Sequence, residues 1–262
     1  YLIAGKSLPF KHYFNNCLSF INYNRFIRNK WDNLKSNRLN KMSNWISNCL
    51  GYSKKIDTSF VFYPFSGGDF LHLYTLYPNA NTYFLVARED VGAIPNLLSS
   101  DTNQALNYLH DIDFFLRDVY TRSYFITMNM LADTKSNTKI NGMLPILYWT
   151  LGNLDFEIIN VNFYLKNNIQ KKLIKTDALS KNDKPCVAEL MIRKKGEANV
   201  RKLYYCSFDI SDNGFSADSL GYNFISSRVP KNCNSMVKSA SYLLHYTTFS
   251  NIRNLLLDRS KI

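Results

Sequence analysis

The central part of the chain alternates short apolar runs with a longer segment of mixed polarity. The apolar run Phe60 to Tyr63 meets the corner Ser66-Gly67-Gly68-Asp69, and a second apolar run ends in Glu89-Asp90. This order predicts a strand, a tight turn, a helix that starts near Asp69 and a second strand. Because a crossover of this length joins parallel strands, we expect the runs 59–63 and 82–87 to be adjacent and parallel.

The same alternation continues on both sides of this segment. Asp101 and Gln104 form a capping-box pattern ahead of apolar residues at helical spacing. The predicted elements are, in order, two helices within 7–50, a helix at about 101–121, a segment at 124–131 that fits a strand or a helix, a buried helix at 142–151, a strand at 156–165, β-rich runs at 187–193 and 200–210, and a helix at 249–257.

These elements predict an α/β protein with a Rossmann-like, three-layer sheet that has helices on both faces. Lys194-Lys195-Gly196-Glu197 separates the two β-rich runs and predicts an antiparallel hairpin in the C-terminal half. We expect a basic helical cap at 1–56 and an α/β domain at 57–262. A lysine- and asparagine-rich stretch without periodicity predicts a loop or insertion near 166–185.

Charge is distributed unevenly along the chain of 262 residues, whose net charge is +12. Residues 1–56 carry a net charge of +9, residues 57–165 carry −6, and residues 166–262 carry +9. Because the segment with the glycine corner is acidic, nucleic acid is disfavoured as a ligand there. The basic segments are typical of solvated surface, and the alternatives are an anionic membrane surface or an acidic partner.

Cysteine spacing and hydropathy exclude further classes of protein. Five cysteines lie far apart with no C-x-x-C pair, which argues against a zinc site or a disulfide framework, so no metal site is predicted. No apolar run reaches the roughly 18 residues that a transmembrane helix needs. The sequence begins at Tyr1 rather than Met, which leaves room for a removed signal or lipid anchor ahead of it.

The glycine corner is the candidate ligand site. In dinucleotide-binding folds an acidic residue about 20 positions beyond the glycines holds the ribose hydroxyls, and Glu89 and Asp90 have that spacing from Gly68. This pattern predicts a cofactor site of Ser66, Gly67, Gly68, Asp69, Glu89 and Asp90, for S-adenosylmethionine or a nucleotide. The alternative is a structural turn with Asp69 as a helix cap, which the surrounding aromatic residues favour.

A second group of residues has the types that catalysis requires. On a helix, Ser241 and His245 would share one face with Lys238, and Asp209 follows a predicted strand. A serine, a histidine and a carboxylate can form a hydrolase relay. The alternative is a hydrogen-bonded structural histidine. If these residues are catalytic, Asp69, Glu89, Asp209, Lys238 and His245 should surround one concave site at the carboxyl edge of the sheet.

Two motifs resemble those of an uncharacterised family of bacterial proteins. They are Tyr63-Pro-Phe-Ser-Gly-Gly-Asp-Phe70 with Glu89-Asp-Val-Gly92, and Lys238-Ser-Ala-Ser-Tyr-Leu-Leu-His245 with Phe249-Ser-Asn-Ile-Arg253. The family has a YPFSGPDF-like corner and a KSASYLLH-like segment, with proline where this chain has Gly68 and Asp90. The resemblance implies a hypothetical or lipoprotein-like protein and no established activity.

Two classes of function therefore stay open. The first is a binding or interaction module, soluble or in the bacterial cell envelope, and the envelope or periplasm is favoured over the cytoplasm. The second is a nucleotide- or S-adenosylmethionine-dependent transferase, similar to a methyltransferase, that uses the Ser66–Asp69 corner. Both depend on the chemistry gathered at that corner.

Overall fold

The computed structural model describes residues 1–49, 59–122, 139–167, 169–180 and 182–261. The described chain forms two compact units. Unit 1 comprises residues 1–53 and 92–157, and unit 2 comprises residues 54–91 and 158–262. The expected domain boundary at residue 56 lies close to residue 53, where the chain leaves unit 1 and enters unit 2. Residues 92–157, which the sequence places in the α/β domain, belong to the same unit as the N-terminal helices.

One mixed sheet of seven strands gives the protein its α/β character. The strands are β1 (Phe60–Pro64), β2 (Thr82–Ala87), β3 (Phe156–Asn167), β4 (Lys172–Thr176), β5 (Val187–Lys194), β6 (Val200–Ser207) and β7 (Asn234–Ser235). Their order across the sheet is β4-β3-β5-β6-β2-β1-β7. Because β1, β2, β6 and β7 run parallel to one another, their carboxyl ends meet at one edge, which we call the carboxyl edge.

Eight α-helices are present in the described chain. They are α1 (Leu18–Leu34), α2 (Asn40–Cys49), α3 (Phe70–Leu76), α4 (Thr102–Phe115), α5 (Arg117–Arg122), α6 (Leu144–Asn153), α7 (Leu220–Ser226) and α8 (Ser250–Arg259). A π-helical turn, Lys35–Leu39, joins α1 to α2. No described helix is both long enough and apolar enough to cross a membrane.

The predicted β1–α3–β2 unit is confirmed. Phe62 pairs with Phe84 in a parallel ladder, and α3 begins directly after its N-cap, Asp69, whose side chain accepts a hydrogen bond from the backbone N–H of His72. The capping interaction predicted for the next long helix is also present, because Asp101 Oδ1 accepts from Gln104 N at 2.9 Å. Local hydrogen-bonding patterns thus define both helix starts.

Both faces of the sheet in unit 2 are covered by helices. On one face the Phe70 ring of α3 lies 5.0 Å from the ring of Tyr83. On the other face Phe84 contacts Phe224 of α7, with ring centroids 6.3 Å apart, and Ile252 of α8 belongs to the same buried cluster. Successive residues of a strand point to opposite faces, which explains why neighbouring aromatic residues of β2 serve two different layers.

Two segments differ from the sequence-based expectations. The lysine-rich stretch expected as a loop contains β4, which pairs antiparallel with β3. It is an edge strand, where exposed lysines are common and hydrophobic alternation is weak. Ser239–His245 forms a 3-10 helix rather than an α-helix. By contrast, β5 and β6 pair antiparallel along their length, which is the pairing expected for these two runs. The element expected at 124–131 lies outside the described residues.

Candidate functional site

The corner between β1 and α3 is built by two residues in the left-handed region of backbone conformation. Phe65 has φ 58° and Gly67 has φ 52°. Glycine adopts this region freely, but a bulky residue such as phenylalanine does so at a cost. The Ser66 N–H donates to the Val86 carbonyl of β2 at 3.0 Å, so the corner is tied to the neighbouring strand. Such strained residues are common at functional sites.

Two backbone N–H groups of the corner donate to carbonyls within the corner. Asp69 N donates to Ser66 O at 3.2 Å, and Phe70 N donates to Gly68 O at 2.9 Å. By contrast, the N–H groups of Gly67 and Gly68 donate to no other residue that the structure describes. The corner is therefore a tight turn that also leaves two donors free next to Asp69.

Asp69 is the centre of a buried cluster of polar side chains. Its Oδ1 lies 2.6 Å from His72 Nδ1, and its Oδ2 accepts from the Tyr63 hydroxyl at 3.2 Å. The side chains of Asp69 and His72 are only 7% and 6% exposed. A carboxylate so far from water needs such partners, since burying an unpaired charge is costly.

Lys238 brings the balancing charge from the far end of the chain. Its Nζ lies 2.7 Å from Asp69 Oδ2 and 2.9 Å from His72 Nδ1. The β7 strand places it there, because Met236 N donates to Phe62 O of β1 at 2.9 Å. The Lys238 side chain stays 28% exposed. We call Tyr63, Asp69, His72 and Lys238 the edge cluster.

The ionisation of Asp69 follows from these contacts. Burial alone would raise the pKa of Asp69, but the hydrogen bonds and charges of His72 and Lys238 lower its pKa below the ordinary value of 3.8. The pKa of Tyr63 is raised by burial and by the neighbouring carboxylate. At neutral pH the cluster therefore holds an ionised carboxylate beside a neutral phenol.

The short contact between Asp69 and His72 assigns the imidazole tautomer. A separation of 2.6 Å between Oδ1 and Nδ1 requires a proton between the two atoms. Nδ1 is therefore the donor, and the approach of the Lys238 ammonium to Nδ1 is a contact between two donors rather than a hydrogen bond. No other described residue hydrogen-bonds to His72 Nε2, so this nitrogen is available to a ligand.

Glu89 and Asp90, at the end of β2, have different environments. Glu89 is 5% exposed, and burial raises its pKa, although the backbone N–H groups of Glu89 and Arg88 oppose this effect. No described side chain hydrogen-bonds its carboxylate. The Tyr205 hydroxyl donates to the Glu89 carbonyl at 2.9 Å and fixes the backbone. Asp90 is exposed to solvent.

The proposed serine relay is not assembled in the described structure. Ser241 Oγ accepts a hydrogen bond from Lys238 N at 2.9 Å, so it caps the 3-10 helix. His245 is exposed and bonds to the Tyr242 carbonyl. Asp209 is also exposed and accepts from Ser211 Oγ at 2.8 Å. The expected helical face did not form, because a 3-10 helix does not align residues four apart.

The expected single site is thus assembled in part. Asp69 and Lys238 are in direct contact, and Glu89 and Asp209 follow β2 and β6 at the same carboxyl edge. No hydrogen bond or ion pair links Asp209 or His245 to the edge cluster in the part of the chain that the structure describes. The Ser241 hydroxyl contacts the backbone N–H of Lys238 rather than its ammonium group.

Sequence reasoning missed His72 and Tyr63. A signal for His72 was present, because it lies three residues after the helix cap Asp69, a spacing that places two side chains on the same helix face. Tyr63 lacked such a signal, since its hydroxyl reaches Asp69 across a turn.

Comparisons with models of known families, with curated proteins and with solved structures found no significant match. The chemistry of the site is therefore the basis for the proposed function.

We expect Asp69→Asn to lower the free energy of unfolding by about 2–4 kcal/mol at pH 7, because it removes the buried charge that pairs with Lys238. The folded-state pKa of Asp69 is lowered, so its contribution to stability is present above the unfolded value and is lost as the pH falls through the folded one. The difference between wild type and variant should therefore shrink below about pH 4. Urea unfolding at a series of pH values measures both effects.

The matched control for this substitution is Asp209→Asn. Asp209 is 47% exposed and its Oδ1 lies 3.9 Å from Arg88 Nε, so the change should cost less than about 0.5 kcal/mol. Equal effects of the two substitutions at pH 7 would contradict the role given to Asp69.

Glu89→Gln should have the opposite effect on stability and raise the free energy of unfolding at pH 7. Because the folded-state pKa of Glu89 is raised, its ionised form opposes folding at neutral pH, and the opposition disappears as the pH falls through the folded value. We expect the variant to be more stable than wild type by about 0.5–2 kcal/mol at pH 7, with the gain fading toward pH 4. A loss of stability at pH 7, measured by thermal unfolding, would show that Glu89 has an unrecognised stabilising partner.

Proposed function

We propose that the carboxyl edge of the sheet is a binding site for a small anionic molecule, and that the protein functions as a ligand-binding module. The observation that carries the proposal is the edge cluster, in which a buried carboxylate orients an ammonium group and an imidazole. Titratable groups in such surroundings are concentrated at functional sites.

The position of the cluster supports the proposal. In open α/β sheets ligands bind beyond the carboxyl ends of parallel strands, and we propose that this sheet is used in the same, Rossmann-like way. The partly exposed Lys238 ammonium and the unused N–H groups of Gly67 and Gly68 are donors that suit a phosphate or a carboxylate. Glu89 supplies a buried acceptor at the end of the next strand.

A nucleotide-type ligand fits this set of groups. The donors would bind its anionic part, and Glu89 would accept a hydrogen bond from a hydroxyl group of the ribose, as the spacing from Gly68 predicts. S-adenosylmethionine, which carries a carboxylate and a ribose, meets the same requirements. The role of a cell-envelope module with an acidic partner or an anionic membrane surface remains a further proposal, supported by the motif resemblance and by the basic segments.

The second candidate is a nucleotide- or S-adenosylmethionine-dependent transferase. The observation in its favour is the Asp69–His72 pair, because a carboxylate on Nδ1 holds the imidazole in the tautomer whose Nε2 can accept a proton. In such a reaction His72 would act as general base and Lys238 would bind the anionic group. A base of this kind serves a transferase that deprotonates its acceptor, and it is unnecessary in a binding module.

A thermal-shift experiment with S-adenosylmethionine, NAD and ATP tests the proposal. A ligand at 100 times its dissociation constant adds about 2.7 kcal/mol of stability, which corresponds to a rise in Tm of roughly 5–10 °C for a chain of this size. We expect one of the three ligands to give such a shift with wild type and a much smaller one with Lys238→Met, which removes the ammonium group.

Lys231→Met is the matched control, because Lys231 is 68% exposed and makes only a surface ion pair with Asp258 at 3.5 Å. It should respond to the ligand like wild type. An equal shift in Lys238→Met would place the ligand elsewhere, and no shift with any of the three compounds would contradict a nucleotide-type ligand at this edge.

A further inference from the structure

A polar cleft runs along the N-terminal helices of unit 1. Its volume is about 830 Å³, which lies within the range of roughly 300–1,000 Å³ found for small-molecule sites. The polar side chains that line it are Lys30, Asn33, Asn37, Arg38 and Lys41. Apart from the adjacent pair Asn37 and Arg38, they recur every three or four residues and so follow one side of the continuous helix formed by α1, the π-helical turn and α2.

The π-helical turn creates this polar side. In an uninterrupted α-helix the buried Leu34 would be followed on the core face by residues 37 and 38. The extra residue of the turn, in which Asn40 N donates to Lys35 O, puts Leu39 in the core instead, five residues after Leu34. Asn37 and Arg38 are thereby exposed. Such π-helical insertions are frequent at functional sites.

The remaining wall of the cleft is apolar and aromatic. Leu34 and Met42 lie between the polar residues, and Tyr120 of α5 faces them. The Lys30 ammonium lies 4.9 Å from the centre of the Tyr120 ring. A cleft with an aromatic wall and several convergent polar groups is typical of a small-molecule site.

The cleft carries uncompensated positive charge. Lys30 is already paired, because its Nζ lies 2.7 and 2.9 Å from the carboxylate oxygens of Asp113. Arg38 and Lys41 are exposed and make no ion pair or hydrogen bond within the described residues. Two free cations beside two asparagine amides therefore face the same space.

We propose that this cleft is a second binding site, distinct from the carboxyl edge, for a small molecule or headgroup that carries phosphate. The guanidinium of Arg38 matches two phosphate oxygens at once, and Lys41 adds a point charge. The amides of Asn33 and Asn37 donate further hydrogen bonds. The phosphate belongs either to a soluble compound or to the headgroup of an anionic lipid.

Isothermal titration calorimetry with sodium tripolyphosphate tests the soluble source, and co-sedimentation with phosphatidylglycerol vesicles, against phosphatidylcholine vesicles, tests the lipid source. The variant is Arg38→Gln with Lys41→Gln, both at exposed helical positions that glutamine tolerates. We expect it to weaken binding of the successful probe at least about 10-fold. Raising the salt concentration should weaken wild-type binding as well.

The matched control is Arg25→Gln with Arg28→Gln. It makes the same change in charge at exposed positions of α1 outside the cleft lining, and it should bind within about two-fold of wild type. Lys238→Met should also bind normally, which separates this site from the carboxyl edge. Binding of neither probe, or equal loss in the two double variants, would overturn the proposal.

Discussion

The ion pair between Lys238 and Asp69 joins two parts of the chain that are 169 residues apart. Asp69 ends the corner after β1 and caps the start of α3. Lys238 follows β7, which pairs with the edge of β1 opposite to β2. One carboxylate therefore fixes a helix start, an imidazole and the entry to the C-terminal 3-10 helix. Removal of the Asp69 charge would leave Lys238 and His72 without the carboxylate that holds both side chains in place.

The cost of burying Asp69 explains why so many groups converge on it. A carboxylate that is only 7% exposed must recover its lost hydration from hydrogen bonds. The donors are the Tyr63 hydroxyl, the Lys238 ammonium, and the backbone N–H and Nδ1–H of His72. Buried ion pairs contribute little to stability compared with apolar residues of the same size. The edge cluster therefore supports the binding site that we propose at the carboxyl edge.

The elements that depend on local sequence patterns are predictable from the sequence. The β1–α3–β2 unit and the caps Asp69 and Asp101 follow from hydrophobic periodicity and capping chemistry, which act within a few residues. Residue types predict Lys238 and Asp69 at one site, but their direct contact depends on β7, a strand of two residues beside β1 that no local pattern predicts. His72 has no predicted role, because the sequence assigns Asp69 to a cofactor site or to a helix cap, and neither role requires a histidine partner.

The tautomer of His72 tests the central claim most directly, since it reports whether Asp69 or Lys238 controls the imidazole. Long-range ¹⁵N–¹H correlation spectra of the protein at neutral pH distinguish the two neutral forms. The account predicts that Nδ1 carries the proton in wild type and that this preference is lost in Asp69→Asn. A proton on Nε2 and none on Nδ1 in wild type would mean that Nδ1 accepts from Lys238, and it would contradict both the assignment of the edge cluster and the role of His72 as a base.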